Sequence, residues 1–108
     1  MAINIFKSVT ENLTTALTTL YTAPVGYSAI VLMAQISNTT GSPATTTVKV
    51  VNVSTAETSL VTGFEIPGND SAGVLTGKLV LEPGQSIKAL ASANSTLQMV
   101  MSILESQN

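Results

Sequence analysis

Cysteine, histidine, arginine and tryptophan are all absent from this chain. Without cysteine there is no disulfide and no thiolate metal site, and the redox compartment leaves no mark. Without histidine the usual general base and the commonest metal ligand are both missing. Charge is scarce as well. Only 9% of the residues are charged, against about 25% in ordinary soluble domains. The net charge of −2 and an isoelectric point near 4.7 argue against a nucleic-acid partner, which needs a basic patch. Lys7, Lys49, Lys78 and Lys88 are scattered, with no aromatic platform between them. No apolar run reaches the roughly 18–20 residues that would span a membrane. The opening MAINIFKSVTENLTT lacks the positive-then-apolar order of a secretion signal, so use without export by that route is expected.

What remains is 108 residues, 44% of them hydrophobic, with threonine and serine supplying most of the polarity. That length suits one domain with a real core. So few charges leave an isolated monomer poorly protected against association. Much of the surface is therefore expected to be covered by copies of the same chain or by a partner.

Turn signals divide the chain at regular intervals. Ala23-Pro24-Val25-Gly26 reads as a type I turn, and Ile66-Pro67-Gly68-Asn69 and Glu82-Pro83-Gly84-Gln85 read as type II turns with glycine at positive φ. Residues 39–43 form a further loop. Between these breaks lie short β-rich segments. Residues 28–37 (SAIVLMAQIS) are apolar on both faces, as in a strand covered on each side. Residues 45–54 are dense in β-branched side chains, and in residues 60–66 Leu60, Phe64 and Ile66 alternate with Val61 and Glu65. Residues 78–82 and 85–91 read as a hairpin closed by Pro83-Gly84. In a last strand Leu97, Met99, Met101 and Ile103 share one face, a core pattern, with Gln98 and Ser102 opposite. Residues 9–20 place apolar side chains at helical spacing, yet their threonines favour an extended chain. The whole predicts an all-β fold, an antiparallel β-sandwich or jelly roll, as a single domain over residues 1–108. An N-terminal arm at about residues 1–8 and a short polar tail at 105–108 complete it.

No catalytic constellation emerges. Glu11, Glu57, Glu65, Asp70, Glu82 and Glu105 share no motif, and several stand beside turns. A serine nucleophile would need a base, and no Ser-x-x-Lys pattern is present. The segment Gly73-Val74-Leu75-Thr76-Gly77-Lys78 is one residue short of a phosphate loop and has Leu79 where a magnesium-binding hydroxyl belongs. Catalytic, cofactor-binding and metal-binding residues are thus all expected to be absent.

The order of several short pieces resembles a group of small virion proteins of tailed phages, especially those of marine bacteria and cyanobacteria. The pieces are Val9-Thr10-Glu11-Asn12-Leu13-Thr14-Thr15, Leu20-Tyr21-Thr22-Ala23-Pro24, Ser28-Ala29-Ile30-Val31-Leu32 and Ile66-Pro67-Gly68-Asn69-Asp70. Gly77-Lys78-Leu79-Val80-Leu81, Gly84-Gln85-Ser86-Ile87-Lys88 and Met101-Ser102-Ile103-Leu104-Glu105 follow in order, so the resemblance spans nearly the whole chain. It implies a non-enzymatic β-sandwich of the virion, assembled in the host cytoplasm. A capsid decoration (cement) protein is the leading reading, forming a homotrimer or other ring on the major capsid protein or another virion protein. A neck, tail or fibre-attachment protein is the alternative. A glycan-binding or adhesive module is the reading from another class, disfavoured by the few aromatic residues, Phe6, Tyr21, Tyr27 and Phe64.

Candidate partner contacts are the apolar residues Ile3, Ile5 and Phe6 of the segment at residues 2–7, and the loop residues Thr39, Thr40, Asn69 and Asp70. The segment at residues 2–7 has two readings of equal weight: docking on a neighbour, or completing the protein's own sheet.

Overall fold

The computed structural model describes residues 3–108. The strands are β1 (Asn4–Asn12), β2 (Thr18–Thr22), β3 (Tyr27–Asn38), β4 (Ala44–Val51) and β5 (Glu57–Ile66). After them come β6 (Ser71–Gly73), β7 (Leu79–Leu81), β8 (Ser86–Ala91) and β9 (Leu97–Gln107). No helix interrupts them among the described residues.

Two antiparallel sheets form. The first has the order β1-β9-β3-β6, with β7 also paired to β3, and the second has the order β2-β8-β4-β5. The two short strands β6 and β7 act as one broken edge strand along β3. Counted that way, the chain crosses between sheets at every connection except β4 to β5, in the double Greek-key order of a jelly roll. The expected antiparallel β-sandwich is the fold observed.

The core lies between the sheets and follows side-chain alternation. Leu97, Met99, Met101 and Ile103 of β9 are buried against Ile87 and Ala89 of β8 and Val48 of β4. Leu13 and the segment around it are extended, not helical, and Leu13 is buried at the end of the sandwich. Threonines at Thr14, Thr15, Thr18 and Thr19 stand exposed on this connection, where χ1 stiffness costs nothing.

Several expectations are corrected. Residues 78–82 and 85–91 are not a hairpin. Pro83-Gly84 does form the type II turn, with Gly84 at φ 87 and the Gln85 N–H donating to Glu82 O at 3.0 Å. That turn, however, carries the chain from β7 in the first sheet to β8 in the second. Near Pro24 the turn closes one residue later than expected, the Tyr27 N–H donating to Pro24 O, and Gly26 takes the positive φ. At Pro67-Gly68-Asn69 the positive φ belongs to Asn69. Gly68 is required for another reason: a Cβ there would lie 2.4 Å from the carbonyl carbon of Gly41. In β5, register shifts opposite Thr46, Val48 and Lys49 disrupt the simple alternation, and both Leu60 and Val61 pack on the core. The tail expected at residues 105–108 is strand as far as Gln107, and Glu105 is buried.

The strand β3 carries the most consequential correction. It is not covered on both faces. A bulge between Val31 and Met33 shifts its register against β9. Ala29 and Val31 are buried before it, Ala34 and Ile36 after it. The extra residue changes the parity, so Leu32 and Met33 both fall on the outer side, together with Ile30.

Candidate interaction surface

The outer face of the first sheet is built by register. Phe6 of β1 pairs with Leu104 of β9, Leu104 with Ile30 of β3, and Ile30 with Val80 of β7. Partners directly opposite in a sheet point to the same side, so these four residues make one apolar row across four strands. Phe6 is 76% exposed, Val80 59%, and Val100 and Met33 just under 40% each. A shallow hollow beside Phe6 is lined by Lys7, Ser8, Leu32, Ser102 and Ile103.

The rest of this face is hydroxyl and amide. Ser8 pairs with Ser102, Thr10 with Val100, and Asn12 with Gln98, which pairs in turn with Ser37. The Gln98 amide donates to Asn12 Oδ1 at 2.9 Å and the Gln35 amide to Ser71 Oγ at 3.0 Å. No strand residue on this face is charged. Lys78 and Glu82 flank β7, and Lys78 lines a hollow with Leu32, Met33 and Gln35 at the edge of this face.

The contact residues read from the sequence separate into two groups. Residues 4–12 complete the protein's own sheet as β1, paired with β9 from Asn4 opposite Ser106 to Asn12 opposite Gln98. Ala2, within the segment at residues 2–7, lies outside the described residues. Ile3 is exposed and its carbonyl accepts from the Gln107 N–H at 2.9 Å. Ile5 pairs with Glu105 on the inner side and is half-buried. Phe6 alone of the three stands on the outer face.

Thr39, Thr40, Asn69 and Asp70 come together at the other end of the sandwich. The Asn69 N–H donates to Thr40 O and the Asn38 N–H to Asp70 O, each at 2.8 Å. Buried Asn38 organises them: its amide donates to Ser42 O and Ile66 O, and its Oδ1 accepts from the backbone and hydroxyl of Thr40. Much of the polar capacity of this loop pair is thus spent inside the loops. Strand β9 runs from the Asn38 end to the Ile3 end, about 30 Å at a rise of roughly 3.3 Å per residue. The two groups are therefore separate surfaces.

One ionisable cluster lies between the sheets, centred on Glu105, the first residue of the tail expected from the sequence. Glu105 extends the inward series of β9 by one more alternate position, and its side chain is 2% exposed. Its Oε2 accepts from the Tyr21 hydroxyl of the second sheet and from Lys7 Nζ at 3.1 Å. Burial, the hydrogen bond to Glu105 and the nearby negative charge, in that order, push the Tyr21 hydroxyl well above its ordinary range. The proton stays on the phenol, which serves as a donor. The cluster joins a carboxylate and an ammonium of the first sheet to a phenol of the second, a clip between the sheets. Among the described residues no group of three or more acidic side chains is placed to hold a metal ion.

No family model and no curated protein matches the chain. Solved structures match it in fold. A protein of the Bacillus endospore appendages, which are disulfide-linked pili, superposes with a TM-score of 0.59 at 10% identity, over 99% of this chain and 88% of that one. A chain of the acid-stable capsid of Helicobacter pylori bacteriophage KHP30 superposes with a TM-score of 0.50 at 12% identity, over 97% of this chain and 92% of that one. At such identities the likeness is one of fold, and it runs nearly end to end in both chains of each pair.

Proposed function

We propose that this chain is a non-enzymatic structural protein of a bacteriophage particle, a decoration protein that binds the head surface as a homo-oligomer. The observation that carries the reading is the outer face of the first sheet, an apolar row surrounded by neutral polar side chains at its outward-facing strand positions. Exposed contiguous apolar surface of this kind marks contact with another macromolecule. The phage-capsid chain of similar fold, matched over 92% of its length, supports a small virion component of this fold. Attachment then rests on apolar burial, at roughly 25 cal/mol per Å² before the cost of association. Exposed ion pairs contribute little.

A second reading is a fibre or tail subunit, favoured by the likeness to the spore-appendage protein. The cross-linking chemistry of those pili is not open to these residues, which include no cysteine. Mass spectrometry and imaging of purified particles from the encoding phage separate the two. Many copies on the head, retained in molar sodium chloride, are expected. Location confined to the tail or fibres would replace the first reading by the second, and absence from the particle would end both.

A further inference from the structure

We infer that the outer face of the first sheet is covered by a second copy of this chain, packed face against face. The inference rests on that face alone and stands whether or not the protein decorates a phage head.

Electrostatics selects the occupant. A partner presenting charged groups would have to bury them against Phe6, Leu104, Ile30 and Val80, with no counter-charge at the outward-facing strand positions and only Lys78 and Glu82 beside β7. Stripping such charges of water without pairing them is strongly unfavourable. A second copy presents no charge from the outward-facing positions of these strands, and its apolar row meets another apolar row. The flanking side chains suit themselves too. Serine, threonine, asparagine and glutamine each donate and accept, so Ser8, Thr10, Asn12, Gln98 and Ser102 can satisfy their own counterparts.

The alternative faces are less suited to this. The outer side of the second sheet carries Lys49 opposite Lys88 in adjacent strands, with Glu57 and Glu65 along β5. Two copies meeting there by a two-fold axis would risk setting like charges against each other.

Size agrees as well. Strands β1, β9 and β3 have 9, 11 and 12 residues, and β6 and β7 add 3 each, which at roughly 3.3 Å per residue and about 4.8 Å between strands makes a face of roughly 600 Å². A standard interface takes about 800 Å² from each partner. Two sheets packed this way stand about 10 Å apart with strands roughly 30° from parallel. The contact is self-complementary, so it closes as a two-fold pair. This departs from the trimer implied by the resemblance, and the measured mass decides between them.

The test uses the full chain, with light scattering coupled to size exclusion and sedimentation at high micromolar concentration. The expected species is a dimer, or an even-numbered assembly, persisting in molar sodium chloride. Phe6→Lys and Val100→Lys change exposed side chains, so each should retain the β circular dichroism of the parent. Each is expected to weaken association at least about tenfold. Thr19→Lys, exposed on β2 of the second sheet, is the control and should leave the mass unchanged. Phe6→Ser, which adds no charge, guards against repulsion or misfolding caused by lysine itself and should also weaken the pair. A monomeric parent protein, an odd-numbered oligomer, or an assembly indifferent to Phe6→Ser and Val100→Lys would each overturn the inference.

Discussion

The two sheets of this sandwich share a core and differ on their outer faces. The second sheet carries Lys49, Lys88, Glu57 and Glu65, with Lys49 Nζ 3.0 Å from Glu57 Oε1. The outward-facing strand positions of the first sheet carry none, and the centre of that face is the apolar row from Phe6 to Val80. Scarcity of charge is thus not spread evenly. Solubility is supplied by one face, the turns and the rims, while the other is left free for contact. A composition of 9% charge describes neither face well, and it is the register between strands that separates them.

That comparison treats the sheets as one rigid body with two unlike sides. The Tyr21–Glu105–Lys7 cluster is the sharpest place to break it, because Glu105 reaches from the first sheet to Tyr21 of the second. Replacing Glu105 by alanine leaves a buried phenol without its acceptor, a lysine without its partner and a cavity. Breaking a buried pair by removing one member costs about 3–5 kcal/mol. Lys7 is 46% exposed and can rehydrate, so the expected loss for Glu105→Ala is at the lower end, about 3 kcal/mol. Lys7→Met should cost no more than about 1 kcal/mol, as for other partly exposed pairs. Urea denaturation measures both. Equal losses for the two variants would show that Glu105 is not the centre of the cluster.

A smaller effect sharpens the same point through pH. The Tyr21 hydroxyl is raised above its ordinary value in the folded chain, first by burial and then by Glu105. An unfolded tyrosine loses its proton near pH 10, while the folded one still holds it. The stabilisation is therefore complete below about pH 10 and declines as pH rises through the folded value. The slope from this one group approaches about 1.4 kcal/mol per pH unit. Tyr21→Phe removes it, so thermal midpoints of the variant should fall less steeply between about pH 9 and 11. Parallel curves for both proteins would mean that Tyr21 does not hold its proton against Glu105.

How far all this was legible depends on whether a feature is local. The alternation of Leu97, Met99, Met101 and Ile103 identifies the inner side of β9. Carried one step further, it would have placed Glu105 inside and Val100 and Leu104 outside. The β-sandwich was readable from turn spacing, and the type II turn at Pro83-Gly84 from its residues. What that turn joins was not, because a turn does not encode whether the next strand pairs or crosses to the other sheet. The bulge at Leu32 was hidden for a similar reason: SAIVLMAQIS is apolar throughout, and only pairing with β9 reveals the change of parity. Phe6 is a candidate contact on sequence grounds, and the structure places it on the outer face. Ile30, Leu104 and Val80 were missed, since three strands distant in sequence must align before the row exists. Gly68 was recognised as a turn glycine, yet its necessity comes from Gly41 in another loop.

The smallest expected effect concerns the charges of the second sheet. If they serve solubility more than stability, neutralising one should hardly change the folding free energy. Lys49 and Glu57 make the most direct test, being cross-strand neighbours on β4 and β5 and partly exposed, 28% and 37% by side chain. Pairs in such settings contribute about 0–1 kcal/mol, because water competes for both groups and two long side chains lose freedom. Glu57→Gln keeps the shape and removes the charge, so a loss of no more than about 0.5 kcal/mol is expected. The difference should shrink further in molar salt, where the Debye length falls to about 3 Å. Solubility should move in the other direction from stability: removing an acid takes the chain from a net charge of −2 toward neutrality, where association is favoured. Precipitation thresholds and urea midpoints, measured side by side, read the two effects separately. A loss above about 1.5 kcal/mol, exceeding what exposed pairs provide, would mean that the second sheet depends on its charges for folding. The contrast between the two faces would then be one of stability as much as of contact.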